Sequence, residues 1–185
     1  YLYPCQRHET LNMPAKINIK VPRTLWTAQD SMRLASNTLA AIKLRTSEGI
    51  DANGAQFDDY SQKPIYVAKK GARLAPKGGR PSRTGQSVYY AGGYEQYKED
   101  SRRRGRKGNN DSAQVDLVLS GQLMNNLVIK EATATGFTIG LTKHVQSYGY
   151  HVNEKREFLG LTKKDVDVLS EAVAIEVRKK LGVAK

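Results

Sequence analysis

Three histidines, one cysteine and an adjacent aspartate pair are the side chains with which this chain would do covalent or metal chemistry. Their spacing gathers none of them into a working set. His144 and His151 stand seven residues apart in a segment expected to turn, and His8 is remote in sequence from both. The patterns H-E-x-x-H, G-x-x-x-x-G-K-[ST] and G-x-S-x-G, which hold a metal ligand pair, a phosphate cradle and an activated serine, are missing. Asp58 and Asp59 are neighbours, and consecutive residues rarely converge on one ligand. Asp51–Gly54 (DANG) has the start of a calcium loop without its fixed downstream glutamate. The lone Cys5 leaves no internal disulfide framework and no cysteine-based zinc cluster. The expectation is therefore no catalytic residue, no metal site and no cofactor, these groups being polar surface.

Charge makes a stronger case. The chain carries 30 Lys and Arg against 18 Asp and Glu, a net charge of +12, and the segment from Ser61 to Gln114 alone accounts for +9. Such an excess attracts nucleic acid, an anionic surface or an acidic protein. Arg102, Arg103, Arg104 and Arg106 are placed to neutralise phosphates, and Tyr89, Tyr90, Tyr94 and Tyr97 to stack on bases. The same residue types are enriched at protein–protein contacts, and a charge run is often only a solvated face. Contact with a neighbouring protein subunit is the preferred reading of this group, with DNA contact the alternative.

Two helices and a hairpin supply the frame. Leu25, Ala28, Met32, Ala35, Leu39 and Ile42 recur in steps of three and four, one apolar stripe on a helix. Thr24 or Thr27 caps its start, Lys43 and Arg45 suit its negative end, and Gly49 closes it. From Asp51 to Gln114 no periodicity is sustained. Lys69–Gln86 reads as a flexible basic loop, Val88–Glu99 has tyrosines enough to pack, and Ser101–Asp111 reads as a solvated charge run. Val115–Ser120 suits a short strand or extended entry. Gly121–Leu127 suits a helical turn with Leu123, Met124 and Leu127 on one side. Asn126–Thr142 reads as a β-hairpin turning near Thr135 and Gly136. Thr162 and Asp165 have capping-box spacing ahead of a last helix whose buried face is Val166, Leu169, Val173, Val177 and Leu181.

The fold class expected is α+β: a small antiparallel hairpin sheet packed with an N-terminal and a C-terminal helix, plus a long basic central loop. Residues 1–23 form an arm, of which the twelve before Met13 are set aside. Residues 24–185 form one domain with a loop insertion at about 61–114. Only 39% of the residues are apolar, below the roughly 45–50% typical of globular chains counted with glycine, so the core is small for the length. No apolar run is long enough to span a bilayer and no secretory leader is visible, which predicts a cytoplasmic setting or a particle assembled there.

Several segments, taken in order, resemble the bacteriophage virion-morphogenesis and tail-completion proteins, a family with Mu-like and siphophage neck branches. Arg156–Asp165 (REFLGLTKKD) is similar to the family's R-x-F-L-G-L-[ST]-x-x-D. Val115–Leu127 is similar to D-L-x-x-[ST]-G-x-L, and Gly49–Ser61 to G-x-D-x-x-G-x-x-F-x-x-Y-S. Gly92–Lys98 resembles G-Y-x-x-Y-[KR], and His144–Tyr150 falls where the family has a Tyr- or His-containing turn ending in glycine. The likeness spans about Thr24 to Leu181, and the central basic segment is longer and more positive than in many relatives. Within these motifs Gly121, Arg156, Phe158, Leu159 and Gly160 are expected to specify the fold: Phe158 and Leu159 as anchors to the core, Gly160 as a sharp turn.

The resemblance implies a structural virion protein of the neck or tail, completed in the host cytoplasm. It implies a ring of identical subunits, commonly a hexamer, whose partners are other neck and tail proteins such as a connector, adaptor or tail terminator. DNA in the channel is a further candidate partner, and no membrane is. The alternative reading from charge is a basic nucleic-acid-binding module.

Overall fold

The computed structural model describes residues 15–18, 25–68, 79–103, 115–118 and 121–183. Among these the chain is mixed helix and sheet, with five helices and two small antiparallel three-stranded sheets, compatible with an α+β fold. No described helix is long and apolar enough to cross a membrane.

The first sheet has the order β1 (Ala15–Asn18), β6 (Gly136–Leu141), β5 (Leu127–Thr133). Its hairpin turns at Ala134 and Thr135, as the β-branched flanks predict, with a bulge between Ile129 and Glu131. The third strand was not expected: Ala15–Asn18 belongs to the predicted arm, yet it pairs with β6 from Ala15 opposite Ile139 to Asn18 opposite Gly136. Phe137, Ile139 and Leu141 alternate into the core, where helix α1 (Ala28–Ser47) packs over β5 and β6.

Helix α1 begins at Thr27, whose hydroxyl accepts from Asp30 N while the Asp30 carboxylate accepts from Thr27 N, a complete capping box. The predicted stripe is only partly right. Ala35 and Ile42 are buried, but Met32 is 47% exposed, and the buried face continues through Ser31, Leu34, Thr38, Arg45 and Thr46. Polar groups occupy that face because each has a partner. Ser31 accepts from Trp26 Nε1 at 2.8 Å, and the Thr38 and Thr46 hydroxyls donate to the carbonyls of Leu34 and Ile42.

The last helix, α5 (Lys163–Lys180), has the Thr162 and Asp165 capping box in full. Its predicted face is shallower than expected. Leu169, Val173 and Val177 are half-buried against the core, but Val166 and Leu181 are 45% and 54% exposed. Helices α1 and α5 run antiparallel and exchange charge at both ends. Lys180, in the last turn of α5, binds Asp30; Arg45, in the last turn of α1, binds Asp165. Each capping-box aspartate therefore neutralises a cation from the C-terminal turn of the other helix, and every charge sits at the favourable end of its own dipole.

Asp30 gives this arrangement a pH signature. The hydrogen bond from Lys180, then that from Thr27, holds its carboxyl at about 2, below the ordinary 3.8, against the opposing effect of burial. A depressed carboxyl stabilises the fold fully above its unfolded value and progressively less as pH falls from 3.8 to about 2. Urea midpoints measured across that window are expected to fall more steeply for the wild type than for Asp30→Asn. Parallel slopes would show that the pair contributes nothing to acid sensitivity.

The central region contains more structure than its lack of periodicity suggests. Strands β2 (Ile65–Ala68), β3 (Arg80–Pro81) and β4 (Ser87–Tyr90) form the second sheet, in the order β2-β4-β3, followed by helix α2 (Gly93–Arg103). Gly79–Gln86, predicted as part of a flexible loop, is thus partly strand and turn, whereas 69–78 lies outside the described residues. Of the predicted charge run, 101–103 belongs to α2 and 104–111 lies outside. Val88 and Tyr90 are buried, and Tyr90 meets Tyr97 of α2 edge-on at 5.4 Å. Gly93 is required here: its φ is +69°, and a Cβ would stand 2.3 Å from the Ser61 carbonyl oxygen.

Residues 115–118 form no strand. Helix α3 (Gln122–Asn125) is the predicted turn, entered through Gly121 at φ +76° and burying Leu123 and Met124. Helix α4 (Gln146–Lys155) replaces the expected turn beyond Val145.

Candidate functional site: a tyrosine-lined cleft

Tyr60 is the centre of a polar cluster that joins separate elements. It follows the buried plug Phe57, and its own ring is buried. Its hydroxyl accepts from Lys98 Nζ at 2.6 Å and from Leu117 N at 3.2 Å. Lys98, itself buried on α2, also binds the Asp116 carboxylate. The Tyr94 ring lies 5.2 Å from that of Tyr60, and the Arg156 guanidinium stands 5.1 Å over the Tyr60 ring, close enough for a cation–π attraction. Arg156 further donates to the Asp58 and Asp59 carbonyls at 3.0 and 2.9 Å, so it ties the end of α4 to the loop that carries Tyr60.

Leu117 is the sole non-glycine residue with positive φ among the described residues, at +53°. Such a conformation is costly for a side chain with a Cβ. It is held from both sides, by the Tyr60 hydroxyl on its own N–H and by the Asp116 carboxylate, which accepts from Val118 N at 2.9 Å.

This cluster forms one wall of a cleft of about 600 Å³. Tyr60, Tyr94, Leu117 and Leu123 give it an apolar floor, and Asp58, Asp59, Tyr148, His151, Lys155 and Arg156 give it a polar rim. Burial first, then the Asp116 charge, pushes the Tyr60 phenol well above its ordinary value. Burial, with Tyr148 nearby, lifts Tyr94 to about 12. Both stay neutral in water, where they serve as hydrogen-bonding, stacking surfaces rather than bases. Among the described residues no three His, Cys, Asp or Glu side chains are grouped to hold a metal. The arrangement suits capture of an aromatic or aliphatic side chain on a peptide.

The residues expected from sequence divide sharply. Tyr94 lines the cleft. Tyr90 and Tyr97 are used in internal packing, and Tyr89 stands away from the cleft on the second sheet beside Tyr66. Arg102 and Arg103 lie in the last turn of α2, while Arg104 and Arg106 fall outside the described residues. Arg156 is at the rim. Phe158 and Leu159 are buried as expected, held also by Asn153 Oδ1, which accepts from both their backbone N–H groups. Gly160 lies in the expected bend but without a positive φ; what calls for glycine there is a close approach to Ala52, whose Cβ would be 2.7 Å from an added one. Sequence reasoning did not single out Tyr60, Lys98, Asp116 or Tyr148, although each lies in a segment that carries the resemblance: Gly49–Ser61, Gly92–Lys98, Val115–Leu127 and His144–Tyr150.

No protein-family model, no curated protein and no solved structure matches this chain.

Proposed function

We propose that this chain is a structural subunit of a tailed-bacteriophage neck, a tail-completion or head–tail joining protein that works by assembly. One observation carries the reading. The five segments that resemble the tail-completion family are scattered over more than half the chain, yet each contributes a wall of one cleft: Tyr60, Tyr94, Leu117 with Leu123, Tyr148, and Arg156. Motifs that matter only for folding have no reason to share an open surface. Motifs that together receive a neighbouring subunit do.

In a ring each subunit presents one face to a different face of the next. The cleft is the receiving face, its neutral tyrosines and Leu117 accepting an apolar side chain while Asp58, Asp59, Lys155 and Arg156 set orientation by charge. Connector, adaptor or tail-terminator rings are the further partners expected.

Deleting the gene from the phage that carries it is expected to leave filled heads and finished tails side by side in electron micrographs, with joining restored by the wild-type gene. Complete infectious particles without it would end the proposal. Tyr94→Ala is the finer version: it is expected to retain the fold and to shift purified protein toward monomer in sedimentation.

A further inference from the structure

The second sheet has two unlike faces. Val88 and Tyr90 are buried, with Tyr90 against α2. On the other face, antiparallel register puts Arg80, Tyr89 and Tyr66 directly opposite one another across all three strands. Tyr66 is 68% exposed, an unusual position for an aromatic ring at the middle of a strand. Its ring lies 5.0 Å from that of Tyr89 at a tilt of 48°. The neighbouring row on this face is Ala68 opposite Ser87, two small side chains that leave the rings standing above a low floor.

Charge completes the description. From Ser61 to Tyr94 the sequence holds seven Lys and Arg and no Asp or Glu. Three of these, Lys63, Arg80 and Arg83, are described and all are exposed. This stretch has one sign throughout, which suits a polyanion.

We infer that this face of the second sheet binds single-stranded DNA, with unpaired bases stacked on Tyr66 and Tyr89 and phosphates met by Arg80 and Arg83. Stacking needs a free base face, which a duplex withholds, so the aromatic pair selects an unpaired strand where charge alone would not. Nothing in this chemistry needs a 2′-hydroxyl. The buried face against α2 keeps the platform rigid before binding. The surface is separate from the tyrosine cleft, so strand binding and subunit assembly succeed or fail independently.

The test is fluorescence anisotropy of a labelled oligothymidine, and of a duplex of equal length, with the full chain at low salt. The single strand is expected to bind more tightly. Tyr66→Ala and Tyr89→Ala should each weaken it about thirtyfold, a middle value for loss of one stacked base, while Tyr66→Phe retains it. Arg80→Gln should reduce the slope of log affinity against log salt by about 0.7. Because Tyr66 is exposed, its variant is expected to keep the wild-type circular dichroism and melting point. Equal affinity for strand and duplex with Tyr66→Ala unchanged would overturn the inference, as would no binding at low salt. Loss of subunit association in Tyr66→Ala, with strand binding intact, would assign the face to a protein partner and overturn it equally.

Discussion

Arg45→Met is expected to lower the thermal midpoint by roughly 10 °C, the result of losing about 3–5 kcal/mol in a chain of this size. Methionine keeps the apolar stem and removes the guanidinium. That group binds the Asp165 carboxylate and donates through Nη2 to the carbonyls of Phe158, at 3.1 Å, and Gly160, at 3.0 Å. Arg45 is buried, so water does not readily replace the lost donors. Asp165→Asn tests the charge separately, since the amide oxygen still accepts from Thr162 N. A double-mutant cycle should give a coupling of about 1 kcal/mol or more between the two positions. An Arg45→Met protein that melts with the wild type would show that the carbonyls find other donors.

Phe158→Ala is expected to cost about 3–5 kcal/mol by urea denaturation, the range for emptying a buried aromatic site. Phe158 is completely buried, its carbonyl receives Arg45, and its N–H donates to Asn153. Collapse around the cavity is restrained because both sides of the residue are tied down. Phe158→Leu should recover a good part of the loss, as volume is what the site lacks. Equal instability of the two variants would point to the ring's shape rather than its size.

What was legible in the sequence was what local chemistry decides. Thr162 and Asp165 announce their capping box three residues apart, and Thr133 to Gly136 announces a turn between β-branched flanks. Neither needs a distant partner. Strand β1 is four residues long, and its mate lies about 120 residues away, so nothing near Ala15 signals it. The second sheet hides for a related reason: β3 is two residues containing a proline, below any detectable alternation. Helix α1 misled in a different way. Its apolar spacing is real, but Ser31, Thr38, Arg45 and Thr46 each find hydrogen-bond partners where they are buried, which carries the buried face away from Met32. The cleft was legible only in pieces, since its walls come from five segments whose meeting is a property of the folded chain.

The paired latches between α1 and α5 also set an order of events on the ribosome. Lys180 is added 150 residues after Asp30, so the first helix must wait for the whole stretch between them before it meets its partner. The Arg45 latch can close somewhat sooner, once Asp165 has emerged. Closure therefore proceeds from one end of the helix pair to the other, and this part of the nascent protein stays open until the last turn of α5 is made.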